Sequence, residues 1–170
     1  MLLLAKLLKA LSSDASPWQL ALGIMFGMIF GLTPLLGLHN LLILFIVLFF
    51  RINLSTFLLA FPLFSGLGYV LAPLMSKMGE SLLTLEGLNS IWTALYNTGF
   101  GRLSQFFHTL TLGSLITAIV LAPVVLIISK ILIIQYREKL MAHIEKFKII
   151  QLLKSSKLYR LYQGLGGIKP

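Results

Sequence analysis

The stretch GIMFGMIFGLTPLLGLHN, residues 23–40, decides how this chain folds. Gly23, Gly27 and Gly31 fall at every fourth position of an apolar run. On a helix that spacing makes one smooth face. Thr33-Pro34 then interrupts the run, because a proline disfavours helix in the residue before it. Gly37 follows, and His39-Asn40 bring polarity into a hydrophobic segment. A smooth face, a break and a polar pair fit a close-packed, broken helical hairpin. In lipid, G-x-x-x-G faces let backbones approach closely. The glycines therefore seat either a helix of the same chain or one from a partner.

The neighbouring sequence sets the length of that hairpin. Ser16 suits the N-cap and Pro17 the first turn of a helix running to about Leu32. A second run goes from His39 to Phe50 and stops at Arg51. At 1.5 Å per residue these helices reach about 24 Å and about 18 Å. A hydrocarbon core is about 30 Å thick. Neither run spans comfortably, and residues 17–50 are too long for one span. Two arrangements remain: a pair of short tilted spans, or a re-entrant hairpin that returns to the side it entered. The re-entrant form is favoured. Irregular backbone at membrane depth is tolerated only where protein or a wet cavity covers it.

Composition places the whole chain in a membrane. Of 170 residues, 58% are hydrophobic and 11% charged, with mean hydropathy +0.95. A soluble domain has about 45–50% apolar and about 25% charged residues. With no cysteine, disulfides and thiolate metal sites are excluded. The net charge of +9 is uneven. Residues 130–170 hold nine Lys/Arg and two Glu, and residues 77–106 are neutral overall. Basic flanks stay cytoplasmic, so both termini are expected inside and 77–106 outside. A basic tail also suits nucleic acid, but this one directly follows a candidate span, so no nucleic-acid partner is expected. Anionic lipid headgroups are its simplest partner.

The expected fold is all-α: a small polytopic membrane protein and a single domain over residues 1–170. Residues 1–16 read as an amphipathic surface helix, since Leu4, Leu7, Leu8 and Leu11 share a face and no A-x-A-like cleavage site follows. Residues 17–129 form the membrane core. Beyond the hairpin, Leu54–Met75 is expected to cross outward, broken near Pro62. Leu88, Ile91, Trp92, Leu95 and Tyr96 make an apolar stripe suited to the outer interface. Thr109–Ser129 is the cleanest span, with Pro123 inside it. Residues 130–170 continue as a basic cytoplasmic helix.

Candidate site residues fall into three groups. Gly23, Gly27, Gly31, Trp92 and Tyr96 are candidates for helix packing or partner docking. Thr33, Pro34, Gly37, His39 and Asn40 form the hairpin tip, either capping the second helix or meeting a ligand. Arg51 and Asn53 are candidates for headgroup contact, although Asn53 or Ser55 can cap the next helix instead. No acidic residue lies between Asp14 and Glu80. Paired carboxylates, a P-loop, G-x-S-x-G and H-E-x-x-H are all missing. No catalytic residue, metal ligand or cofactor is therefore assigned, and the chain is expected not to be an enzyme.

Four segments together carry a family resemblance: the glycine-ladder helix, LTPLLGLHN, FFRINLSTFLL and LYNTGFGRLSQFFHT. Over about Ser16 to Gly113 the chain resembles a bacterial inner-membrane family known only as a domain of unknown function. That family's pattern is G-x-x-x-G, P-x-x-G-x-Q and R-x-N. Here His39 stands where the broader family often has Gln, so no role for that amide carries over. The resemblance implies no activity, but points to envelope lipid or glycan enzymes and to a larger envelope protein as context. The leading expectation is a subunit that anchors or gates a larger envelope protein, with lipid transport between membranes as its setting. The alternative is a stand-alone lipid or small-solute carrier, or a homo-oligomer of one.

Overall fold

The computed structural model describes residues 15–50 and 52–155, with side chains through residue 139. The surface helix expected at the N-terminus, Arg51 and the side chains of the basic tail beyond residue 139 lie outside the described residues. All regular structure among the described residues is helical, without a strand. The helices are α1 (Pro17–Leu32), α2 (Leu38–Phe49), α3 (Leu54–Leu83), α4 (Asn89–Tyr96), α5 (Gly99–Ser104) and α6 (Thr109–Ser155). A short 3-10 turn, Glu86–Leu88, precedes α4.

α1 starts and stops where its residues dictate. The Ser16 hydroxyl accepts from the Gln19 N–H at 3.2 Å, and the Gln19 side chain accepts from the Ser16 N–H at 3.1 Å. This reciprocal capping box satisfies two donors that the first turn leaves unpaired. Eight of the sixteen residues of α1 are buried, including all three ladder glycines. The helix is thus the centre of the fold.

The ladder determines what covers it. Gly23 faces Asn53, Thr56 and Phe57; Gly27 faces Phe57, Ala60 and Phe61; Gly31 faces Phe61, Phe64 and Ser65. The contacts advance in step, so α1 and α3 run parallel. A methyl group added at Gly27 would lie 2.8 Å from both Ala60 Cβ and the Phe57 carbonyl oxygen. That is well inside van der Waals contact, and only glycine permits the approach. Asn53 ties the two helix starts together, its N–H reaching the Gln19 carbonyl at 3.4 Å.

α3 crosses the proline where the sequence reading places a break. The helix is continuous through Pro62 and Pro73 and extends past Lys77 to Leu83. Packing explains the difference. Residues on both sides of Pro62 are clamped against α1, and the Pro62 ring is on the exposed side. The proline removes one backbone hydrogen bond, and tertiary contact holds the helix across the gap. α2 begins at Leu38 rather than His39, with Gly37 as its N-cap.

The first part of α6 runs antiparallel to α1. Ala118 joins Met28, Ile29, Leu32, Ile43, Val47 and Phe57 in the main core, whereas Ile133 packs on Leu20 and Ala21. The Lys130 ammonium sits 4.2 Å above the Trp18 ring at the same end. Near the start of α6, Gly113 meets α3 at Gly79, where an added Cβ would lie 2.9 Å from the Gly79 nitrogen. This second glycine crossing joins residues distant in sequence. Among the described residues, those through Ile133 form one compact unit and those from Ile134 onward another. The described part of the second unit is the continuation of α6, helical through Ser155.

Two helices are long and apolar enough to cross a membrane. They are α3 and the Thr109–Lys139 stretch of α6, with mean hydropathies of 1.8 and 2.6 over their most apolar windows. Only 17% of each window is buried within the protein. An apolar helix of a soluble core would be mostly covered. α1 and α2 are apolar but shorter, with 16 and 12 residues.

Candidate functional site

The break between α1 and α2 gathers the hairpin-tip residues into one place. At Thr33 the chain leaves the helix, and Pro34 has no N–H to continue it. The Thr33 hydroxyl lies 2.8 Å from the Ile29 carbonyl and 3.0 Å from Asn40 Oδ1, its one proton shared between these acceptors. The Asn40 amide in turn donates to the Pro34 carbonyl at 2.9 Å and more weakly to the Leu35 carbonyl at 3.5 Å. Thr33 is 4% exposed and Asn40 1%. A polar pair buried among apolar helices thereby replaces the backbone bonds lost at the break. Gly37 presents its carbonyl to the N–H groups of Asn40 and Leu41 at 3.0 and 3.3 Å, completing the start of α2.

His39 differs from its neighbour Asn40. Its Nε2 is buried and has no hydrogen-bond partner. The ring folds over Gly37, where an added Cβ would lie 2.7 Å from Nδ1 and 2.9 Å from Nε2. The φ of Gly37 is −124°, open to any residue. Its missing side chain makes room for the imidazole rather than for a turn.

Helices α4 and α5 close over this side of the tip. Trp92 donates through Nε1 to the Leu82 carbonyl at 2.9 Å and stacks on Phe106 with centroids 5.7 Å apart. It is turned inward, part-buried, and holds α4 against the end of α3. It packs on the bundle, the helix-packing role among the two considered for it. Tyr96 stays half exposed, edge-on to Phe107 at 5.5 Å. Between α2, α4, α5 and α6 lies a cavity of about 260 Å³ lined by His39, Leu42, Trp92, Phe100, Phe106 and Leu112, among others. A wider, shallower hollow of about 450 Å³ lies along Phe30, Leu36, Asn40, Leu41 and Leu103.

The remaining sequence candidates go elsewhere. Gly23, Gly27 and Gly31 seat α3 of the same chain. Asn53 caps α3, its Oδ1 accepting from the Thr56 N–H at 3.0 Å. That leaves its side-chain oxygen engaged with the backbone rather than directed at a headgroup. Arg51 lies outside the described residues. Among the described residues no three His, Cys, Asp or Glu side chains come together in a way that could hold a metal. Phe100, Phe106 and Leu112 are cavity walls that sequence reasoning did not single out. For Phe106 the signal was the dense aromatic cluster FFH, residues 106–108, just before the last long helix.

An all-helical chain with two helices fit to cross a membrane and a polar-braced, broken hairpin between shorter ones defines the class. The family follows from the comparison of sequences. Residues 2–141 match the bacterial family described as uncharacterized protein conserved in bacteria, DUF2062, and the chain belongs to it. The match extends beyond the Ser16–Gly113 stretch that carries the motifs, in both directions, and takes in the start of the basic segment. No curated protein and no solved structure matches the chain.

Proposed function

We propose that the chain is a non-enzymatic subunit of the bacterial inner membrane that anchors or gates a larger envelope protein. In this reading α3 and α6 cross the bilayer, α1 and α2 form a re-entrant hairpin, and both termini are cytoplasmic. Lipid transport between membranes is the setting that best suits such a part.

One observation carries the reading. The hairpin tip packs level with Gly68, whose added Cβ would lie 3.2 Å from the Gly31 carbonyl and from Leu32 Cα. Gly68 stands about 21 Å along α3 from Leu54, so the tip stops roughly mid-helix. If α3 spans the bilayer, the non-helical residues 33–37 lie within the hydrocarbon. There Leu36 is 94% exposed. Irregular backbone at that depth needs a protein or water covering. The outer face of α2 continues the bare surface through Leu41, Phe45, Leu48 and Phe49, each more than 60% exposed. A membrane helix of a partner would cover tip and stripe together.

Photo-crosslinking in native membranes tests this. A benzophenone amino acid at Leu36 or Leu41 is expected to capture one larger protein, whereas the same group at Leu121 on α6 captures none. Crosslinks from Leu36 to lipid alone, with none to protein, would contradict the subunit reading.

A further inference from the structure

We infer that the cavity between α2, α4, α5 and α6 takes the end of one lipid acyl chain, which enters sideways from the bilayer between α2 and α5. The inference rests on α3 and α6 crossing the bilayer, as proposed for the function, and not on a partner protein at the tip.

The cavity has an open side and a closed end. Leu42 of α2 and Phe100 of α5 stand at its mouth, 48% and 61% exposed. Phe106, Thr111 and Leu112 close its far end, between 5% and 7% exposed. Its place along the helices follows from two neighbours. Leu38 lies just past the hairpin tip, which stands level with Gly68, and Leu112 adjoins Gly113, which meets Gly79. The cavity thus lies between the middle of α3 and Gly79. The 30 residues of α3 reach about 45 Å, against about 30 Å of hydrocarbon. The mouth therefore opens onto lipid chains rather than onto headgroups or water.

The chemistry of the wall selects the same occupant. Leu42, Leu95, Phe100, Phe106 and Leu112 supply apolar surface, and no Lys, Arg, Asp or Glu lines the space. A phosphate or carboxylate would enter without a counter-charge, which is strongly unfavourable. The polar groups of the wall are turned to other uses. Trp92 Nε1 donates to the Leu82 carbonyl at 2.9 Å, and the Ser104 hydroxyl to the Gly101 carbonyl at 2.8 Å. His39 Nε2 is packed over Gly37, out of reach of a ligand. The Thr111 hydroxyl alone does not give a water the two to four polar partners it needs.

Size excludes a partner's helix. One helical turn, about 5.4 Å long and 10–12 Å wide, occupies roughly 400–600 Å³. The cavity holds about 260 Å³. It admits one chain end, and a chain that fills it gains dispersion contacts with every wall.

Photolabelling tests the site. The full chain is placed in phosphatidylcholine nanodiscs that include a phosphatidylcholine with a diazirine at the end of one acyl chain. After irradiation, labels are located by mass spectrometry. They are expected on Phe106 or Leu112, buried residues that a chain reaches only by entering, and on Val120, which is 65% exposed on α6. Leu115→Trp adds bulk to the cavity wall and is expected to abolish the buried label while keeping that on Val120. Label on Val120 with none on Phe106 or Leu112 in the unaltered chain would overturn the inference and leave the bilayer reading standing. Label on none of the three would overturn both. Neither outcome uses the variant, so a misfolded Leu115→Trp protein does not blunt the test.

Discussion

Thr33 and Asn40 take up the hydrogen bonds that the chain loses at Pro34. The two side chains are bonded to each other and to four backbone carbonyls. Removing one member strands the others in an apolar setting, at a cost of about 1–3 kcal/mol for each buried group left unpaired. Asn40→Leu is expected to destabilise by that amount and to lower the thermal midpoint measured in detergent by several degrees. Thr33→Val in the same background should add less than it does alone, because the pair is one network. His39 was visible in the sequence as a polar residue in an apolar run, but its state was not. Nothing local distinguishes a paired from an unpaired imidazole. The ring's fold over Gly37, where Nε2 is buried, has no counterpart in the local sequence pattern.

At the level of elements, the glycine ladder was legible because a four-residue spacing has one helical meaning. Its partner was open between this chain and another, and the stepwise contacts of Gly23, Gly27 and Gly31 with α3 assign it to this chain. Gly27→Leu is therefore expected to abolish folded, monodisperse protein in size-exclusion chromatography. Gly66, also in α3, has open space around its added Cβ. Gly66→Ala is expected to raise the thermal midpoint, by an amount corresponding to about 0.5–1 kcal/mol, through helix propensity alone. Pro62 misled the sequence reading because proline's local cost is fixed while its compensation is tertiary. Clamping of α3 by α1 on both sides keeps the helix whole. Pro62→Ala is accordingly expected to leave the fold intact and not lower the midpoint. A midpoint that falls would mean that the ring itself sets the helix geometry. The Gly79–Gly113 crossing was not legible, since single glycines on distant helices form no pattern in sequence.

For the whole molecule, the parallel pairing of α1 with α3 and the return of α2 fix one relation. The tip stands beside Gly68, and α3 continues to Leu83, about 22 Å farther on. Helix lengths alone left short spans and a re-entrant hairpin both open. The register of glycine against backbone supports the second, because a spanning pair would place the tip near the far end of α3. If α3 crosses the bilayer, the same depth places Leu36 in hydrocarbon, where the covering partner proposed above would meet it.

Site-directed thiol labelling tests that depth most directly, since the chain has no cysteine of its own. Single variants Ser12→Cys, Leu36→Cys and Glu86→Cys would be exposed in oriented inner-membrane vesicles to a membrane-impermeant maleimide from each side. The re-entrant account predicts labelling of position 12 from the cytoplasmic side only and of position 86 from the opposite side only. It predicts none at position 36 from either side until the membrane is dissolved. Labelling of position 36 from the same side as position 86 would show that α1 and α2 cross the bilayer, and would contradict the account.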